Sequence, residues 1–324
     1  MDARKVRMRW LIVDPVAHCN LRCRGCNHFS PYARPNVEPV ENLARDLSLL
    51  ARFAHARELH VSGGEPLLHP EIGDLLQALR LSGVADRVRL VTNGLLLSRA
   101  PAALWDETDV VQISLYLEAR RRVDLKDATE RARRTDTVLE VAHRPFFRET
   151  LGDVPYQDGD MTERVFGTCL FKDLCHVVQG GHLYRCAQAA YAHRFLDRAA
   201  PAKHHAGEDG LAIEDRPDMA DRIRAYLASP NPLHTCSHCL GVVGRVIEHG
   251  QLTDSELNEP VPRMCEDMLD HLELATRLRV AKLNKWLRFL PRQMRRRLGL
   301  TPTFRPMASE AGAGPISERL WPPQ

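Results

Sequence analysis

Short apolar segments alternate with amphipathic segments through the first half of the chain, and this alternation constrains the fold more than any other feature. The apolar segments have the length and residue types of strands. The stretches Glu41–Ala56 and Glu71–Ser82 read as amphipathic helices between them. Strands that alternate with helices predict βα units and a parallel sheet, whose chemistry lies at the C-terminal ends of strands. The predicted strands are Trp10–Asp14, Glu58–Ser62, Val88–Thr92, Val110–Leu115 and Thr137–Val141.

The composition indicates an α/β protein with a sizeable core and about two domains. The chain has 324 residues, of which 44% are hydrophobic and 27% charged, and this balance excludes global disorder. The net charge of +3 is too small to imply a nucleic-acid partner. No apolar run reaches the ~18–20 residues of a membrane span, and the basic N-terminus is too poor in apolar residues for a signal peptide. We therefore expect a cytoplasmic protein without stable membrane insertion.

Nine cysteines are a high number for a reducing compartment, where disulfides rarely persist, so metal ligation or redox chemistry is the better expectation. Cys19, Cys23 and Cys26 lie within eight residues, directly after the first predicted strand. Three thiolates can occupy three corners of one iron–sulfur cube, which leaves the fourth iron free to bind a small molecule. The alternative is a zinc site completed by His28.

The spacing of these cysteines, C-x3-C-x2-C, resembles that of the radical S-adenosylmethionine (SAM) superfamily. Gly63, Gly64 and Glu65 follow the second predicted strand and resemble the family's GGE motif, which holds the methionine end of SAM. Glycines allow close approach of backbone to a ligand, and the Glu65 carboxylate can accept hydrogen bonds from the SAM ammonium group. Asn93, in a Thr-Asn-Gly sequence after the third strand, resembles the family's TNG motif. An ordinary strand-end turn is the alternative for each of these two motifs.

Two further positions bear on the resemblance. Ser114 ends the fourth predicted strand, where relatives contact the ribose of SAM, and a buried structural hydroxyl is the alternative. The residue before the third cysteine is usually an aromatic that stacks near adenine, whereas this chain has Gly25. Phe29 or Tyr32 could replace that aromatic contact, or either could belong to the core.

The resemblance implies a partial (β/α)6-type radical SAM barrel over residues 8–160. It implies that SAM binds the open iron of a 4Fe–4S cluster and that one electron from the reduced cluster cleaves the sulfonium bond. The resulting 5′-deoxyadenosyl radical abstracts hydrogen from an unactivated C–H bond of the substrate. The electron would come from an external reductant of the flavodoxin or ferredoxin type.

A second set of cysteines follows in residues 161–250. A Gly-Gly turn leads into one of them, and a C-x2-C pair closes the set. This order resembles the Twitch module, a shortened SPASM domain that binds one auxiliary 4Fe–4S cluster. On the residues alone, a zinc ribbon is an equal alternative. We assign as ligands Cys169, Cys186, Cys236 and Cys239, with Cys175 as the alternative to Cys169.

Cys265 is predicted to be the catalytic residue. A thiol S–H bond is weak enough to donate hydrogen to a carbon radical, and neomycin-type aminoglycoside epimerases, which this design resembles, carry a cysteine in the corresponding region. The resemblance implies epimerisation of a carbohydrate or aminocyclitol, such as an aminoglycoside. The alternatives are alcohol dehydrogenation of such a substrate, a SPASM-type peptide-modifying activity and a zinc-bound scaffold. A buried structural role is the alternative for the cysteine itself.

The C-terminal part is predicted to be helical and then loosely ordered. Residues 251–300 are expected to form a helical segment, with helical texture over Ser255–Leu298. Its basic stretch Arg277–Arg297 is expected to pack an apolar stripe on the barrel and to leave its arginines in solvent, rather than to bind a membrane or a nucleic acid. Residues 301–324 are rich in Pro, Gly and Ala and are expected to form a flexible tail.

Overall fold

The structure is a computed structural model that describes residues 5–197, 207–258 and 262–289. The predicted tail and the basic stretch beyond residue 289 lie outside these ranges. The strands are β1 (Val6–Val13), β2 (Ala54–Val61), β3 (Ala85–Thr92), β4 (Val110–Tyr116), β5 (Val138–Arg144), β6 (Phe146–Arg148), β7 (Cys175–Gln179), β8 (His182–Tyr184), β9 (Leu211–Ala212) and β10 (Val246–Glu248). The helices are α1 (Val40–Ala51), α2 (Ile72–Leu81), α3 (Ala102–Asp106), α4 (Leu125–Thr135), α5 (Gly159–Thr168), α6 (Phe171–Leu174), α7 (Ala187–Leu196), α8 (Met219–Ala228), α9 (Asp254–Asn258) and α10 (His271–Phe289).

The predicted parallel sheet is confirmed, and so are its five predicted strands. Strands β1 to β5 lie side by side in chain order and pair in parallel, with Leu11 opposite Leu59 and Leu59 opposite Val88. The whole sheet has eight strands in the order β5-β4-β3-β2-β1-β7-β8-β9. Strand β8 pairs antiparallel with both of its neighbours, β7 and β9. The C-terminal ends of β1, β2, β3 and β4 therefore meet at one edge.

The parallel strands depart at one point from the order of consecutive βα units. The sixth parallel strand, β7, does not follow β5 but joins the far edge, where Cys175 pairs with Trp10 of β1. Pro145 directly follows β5 and has no N–H to continue a ladder. The chain then forms β6, which pairs antiparallel with β10 in a separate two-stranded sheet.

Helices cover one face of the sheet with an apolar core. Leu43, Leu47 and Leu50 of α1 recur at helical spacing and are at most 1% exposed, in the same core as Leu11 and Leu59. Each such leucine contributes roughly 1.5–3 kcal/mol through burial. This core holds the strands in the register that brings their ends together.

The other face of the sheet carries a polar network. Arg89 of β3 donates to Glu58 at 3.0 Å, to Gln112 at 3.2 Å and to Glu140 at 2.5 Å, and so spans four strands. Since successive side chains of a strand point to opposite faces, these residues alternate with the apolar ones. His60 bonds the same Glu58 at 3.1 Å.

Strands β7, β8 and β9 from the second half of the chain extend the same eight-stranded sheet. The proposed boundary between residues 160 and 161 falls inside α5, and the division into 8–160, 161–250, 251–300 and 301–324 stays a prediction. The turn at Gly180 and Gly181 is confirmed, since both have positive φ angles (55° and 73°) between β7 and β8. Residues Met219–Ala228 form the helix α8.

The helical texture expected over Ser255–Leu298 is divided among separate elements in the described part of this stretch. The described part contains α9, a 3-10 turn at Glu266–Met268 and α10, with Pro262 between the first two. Proline interrupts a helix because it lacks the N–H and clashes with the preceding turn. No helix of the described residues is long and apolar enough to cross a membrane.

Candidate functional site

The loop that carries Cys19, Cys23 and Cys26 leaves β1 at the edge where the strand ends meet. The Cys23 thiol interacts electrostatically with the other two. Burial raises the pKa of the Cys19 thiol to about 12 and moves that of Cys23 in the same direction. Because thiolates are the metal-binding form, these sites favour the neutral thiol until a metal binds.

The donor set fits an iron–sulfur cluster. Three soft thiolate ligands on one short loop are the ligand type that such clusters require. Within the described ranges, no group of three or more His, Cys, Asp or Glu side chains is arranged to hold a single metal ion. The alternative zinc ligand, His28, bonds the buried Asp14 carboxylate through Nδ1 at 2.7 Å and stacks on Tyr191.

The two glycines after β2 serve the cysteine loop. Gly64 N–H donates to the Val16 carbonyl oxygen at 2.8 Å, and Gly63 has a φ of 110°. A Cβ atom on Gly64 would lie 1.8 Å from the carbonyl oxygen of His18, and one on Gly63 would lie 2.7 Å from that of Val16. The two glycines therefore allow the backbone after β2 to lie directly against the backbone of the cysteine loop, and this contact anchors the loop.

Glu65 connects the ends of two strands. Its carboxylate accepts from Thr92 Oγ1 at 2.6 Å, from Asn93 N at 2.9 Å and from Leu67 N at 3.1 Å. The side chain is fully buried, and burial raises its pKa to about 7 although the three hydrogen bonds oppose the shift. The GGE and TNG motifs are therefore one hydrogen-bonded unit.

Asn93 extends this unit to the cysteine loop. Its Nδ2 donates to Asn20 Oδ1 at 2.6 Å and lies 3.7 Å from Cys19 Sγ. Ser114 is buried at the end of β4 and hydrogen-bonds the hydroxyl of Tyr116, whose ring stacks on His249. The structure thus brings the loop and the predicted SAM-binding residues to one edge of the sheet.

The structure explains why this chain has glycine at position 25, where the similar family usually has an aromatic residue. Its φ is 73°, in the left-handed region that favours glycine. A Cβ there would lie 3.2 Å from both the Arg148 carbonyl oxygen and Ile247 Cδ1, so the segments around β6 and β10 occupy the space. Of the two suggested replacements, Phe29 is 4% exposed, and Tyr32 packs with it around Phe195.

The second cysteine set also comes together. The pKa of the buried Cys239 thiol is raised well above its ordinary value, first by burial and then by Cys236, Cys169 and Cys186. Cys175 interacts with Cys169 alone among these thiols, and burial raises its pKa to about 12. Of the alternatives, Cys169 is the one that interacts electrostatically with all three of the other predicted ligands.

Cys265 lies in the core beside this second set. It is 0% exposed, and its thiol donates to the His238 carbonyl oxygen at 3.3 Å. A Cβ on Gly152 would come within 2.6 Å of its sulfur. Burial raises the pKa of this thiol to about 12. Its predicted catalytic role stays a prediction.

Sequence reasoning missed the residues that contact Cys23 from the other end of the chain. His249 Nε2 lies 3.2 Å from Cys23 Sγ, although the two residues are 226 positions apart. Burial lowers the pKa of this imidazole. No local sequence pattern indicates such a contact.

The fold and the site together define an α/β protein with a cysteine loop at the C-terminal edge of a parallel sheet, built to hold a cluster. Residues 13–144 match the sequence model of the Radical SAM superfamily. This part of the chain is similar to radical SAM domains, and the similarity implies SAM and one 4Fe–4S cluster.

Curated relatives match the chain over a similar length. A GTP 3′,8-cyclase of Chlorobaculum tepidum is 34% identical over 116 residues, which are 36% of this chain and 34% of the relative. A GTP 3′,8-cyclase of Microcystis aeruginosa is 27% identical over 117 residues, or 34% of each chain. The chain therefore spans about a third of the length of the curated relatives it matches.

Two solved structures extend over more of the chain at low identity. BtrN in complex with AdoMet and 2-DOIA is 12% identical, covers 72% of this chain and 88% of its own, and has a TM-score of 0.39. Native anSMEcpe with bound AdoMet and Kp18Cys peptide is 13% identical, covers 87% and 98%, and has a TM-score of 0.44. Both scores are too low to support a conclusion about function.

Proposed function

We propose that the chain is a radical SAM enzyme that abstracts hydrogen from a small polar substrate. The observation that carries the proposal is the link that Asn93 makes between two strand ends and the cysteine loop. Its backbone N–H donates to Glu65, and its side chain donates to Asn20 and lies 3.7 Å from Cys19 Sγ. When bound, the cluster and SAM supply a one-electron cleavage that yields a 5′-deoxyadenosyl radical.

The residues of this chain bind and orient. Cys19, Cys23 and Cys26 would hold the cluster as thiolates. Glu65 Oε2 accepts the Asn93 N–H, and a carboxylate oxygen has a second lone pair to offer the ammonium group of SAM. We assign Gly63, Gly64, Asn93 and Ser114 to the same SAM site.

The test is anaerobic reconstitution with iron, sulfide, SAM and a low-potential reductant of the flavodoxin or ferredoxin type. The wild-type protein should release 5′-deoxyadenosine, and Cys23→Ala should release none. Cys175→Ala, which removes a partly buried thiol outside the assigned ligands, should behave as the wild type. A wild-type protein that binds cluster and SAM but never forms 5′-deoxyadenosine would refute the proposal.

A second cluster is proposed on Cys169, Cys186, Cys236 and Cys239. Its support is the mutual electrostatic interaction of these four thiols, of which Cys186 and Cys239 are buried. With four protein ligands such a cluster has no open iron, so it would exchange electrons rather than bind substrate.

The substrate class is proposed to be a carbohydrate or aminocyclitol, and the outcome epimerisation with Cys265 as hydrogen donor. Dehydrogenation is the second candidate. It is favoured by the complete burial of Cys265, because oxidation by the auxiliary cluster needs no exposed thiol.

The Cys265→Ala variant discriminates between the two outcomes. If the protein is an epimerase, the variant should lose product but still form 5′-deoxyadenosine, and solvent deuterium should enter the wild-type product. The dehydrogenase forms a carbonyl with or without Cys265.

A further inference from the structure

A segment from the second half of the chain lies across the cysteine loop. We call residues 246–256 the strap. Cys23 and Gln251 form an antiparallel bridge, and Arg24 N–H donates to the Gly250 carbonyl oxygen at 2.8 Å. The strap follows the second cysteine set in sequence, so one continuous stretch connects the two sites.

Two solvent-exposed ion pairs join the strap to the loop on either side of Cys23, and a backbone hydrogen bond accompanies them. Arg22 pairs with Asp254, and Arg24 pairs with Glu256 at 2.5 Å. Leu252 N–H also donates to the carbonyl oxygen of Arg22 at 2.8 Å. The strap is therefore held in register with the loop, and Cys23 is only 8% exposed beneath it.

Two strap side chains point nitrogen atoms at the Cys23 sulfur. His249 Nε2 lies 3.2 Å from Sγ, and Gln251 Nε2 lies 3.6 Å from it. The orientation of the Gln251 amide follows from its other end, since Oε1 accepts the Arg22 N–H at 2.5 Å. The atom that faces the sulfur is therefore the NH₂ donor.

The orientation and tautomer of His249 are also constrained. Its ring stacks on Tyr116 at a centroid distance of 4.7 Å and meets Phe147 edge-on at 5.1 Å. Nδ1 is buried and has no hydrogen-bond partner among the described residues. A buried N–H without a partner is rarer than a buried acceptor without one. We therefore assign the proton to Nε2, which makes His249 a donor to Cys23.

We propose that His249 and Gln251 are positioning residues that set the reduction potential of the SAM-binding cluster. The inference rests on the proposed function. Reduction adds one electron, taken from the external donor, to the cluster and its sulfur ligands. Hydrogen bonds to a sulfur stabilise the more negative, reduced state and raise the potential. By raising this potential, the strap makes the cluster that it covers easier to reduce.

The experiment measures the cluster potential by EPR-monitored redox titration of the reconstituted full chain. His249→Phe keeps the ring and removes the donor, and we expect the ratio of reduced to oxidised cluster at a fixed potential to fall about tenfold, or ~59 mV. Gln251→Leu should shift it the same way. His249→Gln, which restores a donor, should recover most of the loss.

The matched control is Glu256→Gln. It weakens a strap ion pair but leaves both donors in place, so its potential should equal that of the wild type. A second readout is hyperfine coupling from ¹⁵N-labelled histidine in the reduced protein. Coupling is expected in the wild type and in Glu256→Gln, and it should vanish in His249→Phe.

The outcomes separate the inference from the proposed function. Unchanged potentials in His249→Phe and Gln251→Leu, in proteins that still cleave SAM, would overturn the inference alone. If His249→Phe assembles no cluster, the inference is tested instead by the reduction potential of Gln251→Leu and by the hyperfine coupling of the wild type. A wild-type protein that assembles no cluster would remove both the proposed function and this inference.

Discussion

Thr92 Oγ1 donates to Glu65 Oε1 at 2.6 Å, and this hydrogen bond ties the end of β3 to the end of β2. The Glu65 carboxyl group is fully buried at the centre of the site. Its ionisation should therefore make the stability of the chain depend on pH.

Glu65→Gln should change the pH dependence of stability of the apo chain. Burial raises the folded-state pKa of Glu65 to about 7 from 4.5, so the unfolded state loses this proton first. Wild-type stability therefore falls as pH rises from 4.5 to 7, whereas the amide does not titrate. Urea unfolding at pH 5 and pH 8 should show the variant gaining about 3 kcal/mol relative to the wild type between these values.

Glu58→Gln is the control for this titration. Burial raises the pKa of Glu58, but hydrogen bonds from His60 and Arg89 outweigh it and lower the value to about 2. Its stabilisation is complete above pH 4.5 and is lost below it, so its difference from the wild type should stay constant from pH 5 to 8. A constant difference for Glu65→Gln as well would contradict the raised pKa.

Gly64→Ala should displace the cysteine loop. The new Cβ would lie 1.8 Å from the carbonyl oxygen of His18, a backbone atom that cannot rotate away. We expect a loss of about 2–3 kcal/mol in the free energy of unfolding, together with reduced iron binding. Gly167→Ala, in α5 with nothing within 4 Å, should be neutral or stabilising, by up to about 1 kcal/mol. Equal unfolding midpoints for the two variants would exclude the steric explanation.

Gly25→Tyr, which introduces an aromatic at the position where the family usually has one, should destabilise this chain. The residue has a φ of 73° and faces Arg148 and Ile247. The left-handed backbone alone costs about 1–2 kcal/mol for a residue with a Cβ, and the contacts add to it. Gly25→Asn, a residue type that tolerates this conformation, should lose less. Thermal unfolding measures both, and a Gly25→Tyr protein as stable as the wild type would refute the argument.

Iron content should distinguish the ligands of the second cysteine set. The wild type should bind about eight irons per chain, as two four-iron clusters. Cys186→Ser should bind about four, because its thiol faces the other three ligands, and Cys175→Ser should keep about eight. Iron and sulfide analysis after reconstitution gives the answer. Eight irons in Cys186→Ser would exclude Cys186 as a ligand of the second cluster. Zinc without sulfide in the wild type would indicate a zinc site in place of that cluster.

Local patterns were sufficient to predict the strands and the first cysteine loop. Strand periodicity and the spacing of Cys19, Cys23 and Cys26 are short-range properties, each contained within about ten residues of chain. The GGE and TNG motifs were located in the same way, since each ends a predicted strand. Their mutual hydrogen bonds at Glu65 also follow from parallel strands whose ends share one edge.

Other features depend on contacts between distant parts of the chain, which no local pattern encodes. The placement of β7 beside β1 arises because the chain leaves the sheet after Pro145. The reason for Gly25 is the packing of segments more than a hundred residues away, and the donors to Cys23 arrive from the strap. The sequence by itself determined the five parallel strands β1 to β5 and the candidate ligands, because these follow from periodicity and spacing. Only the tertiary structure decided what surrounds each sulfur, because solvent exclusion and hydrogen bonding at a buried atom depend on every segment that packs against it.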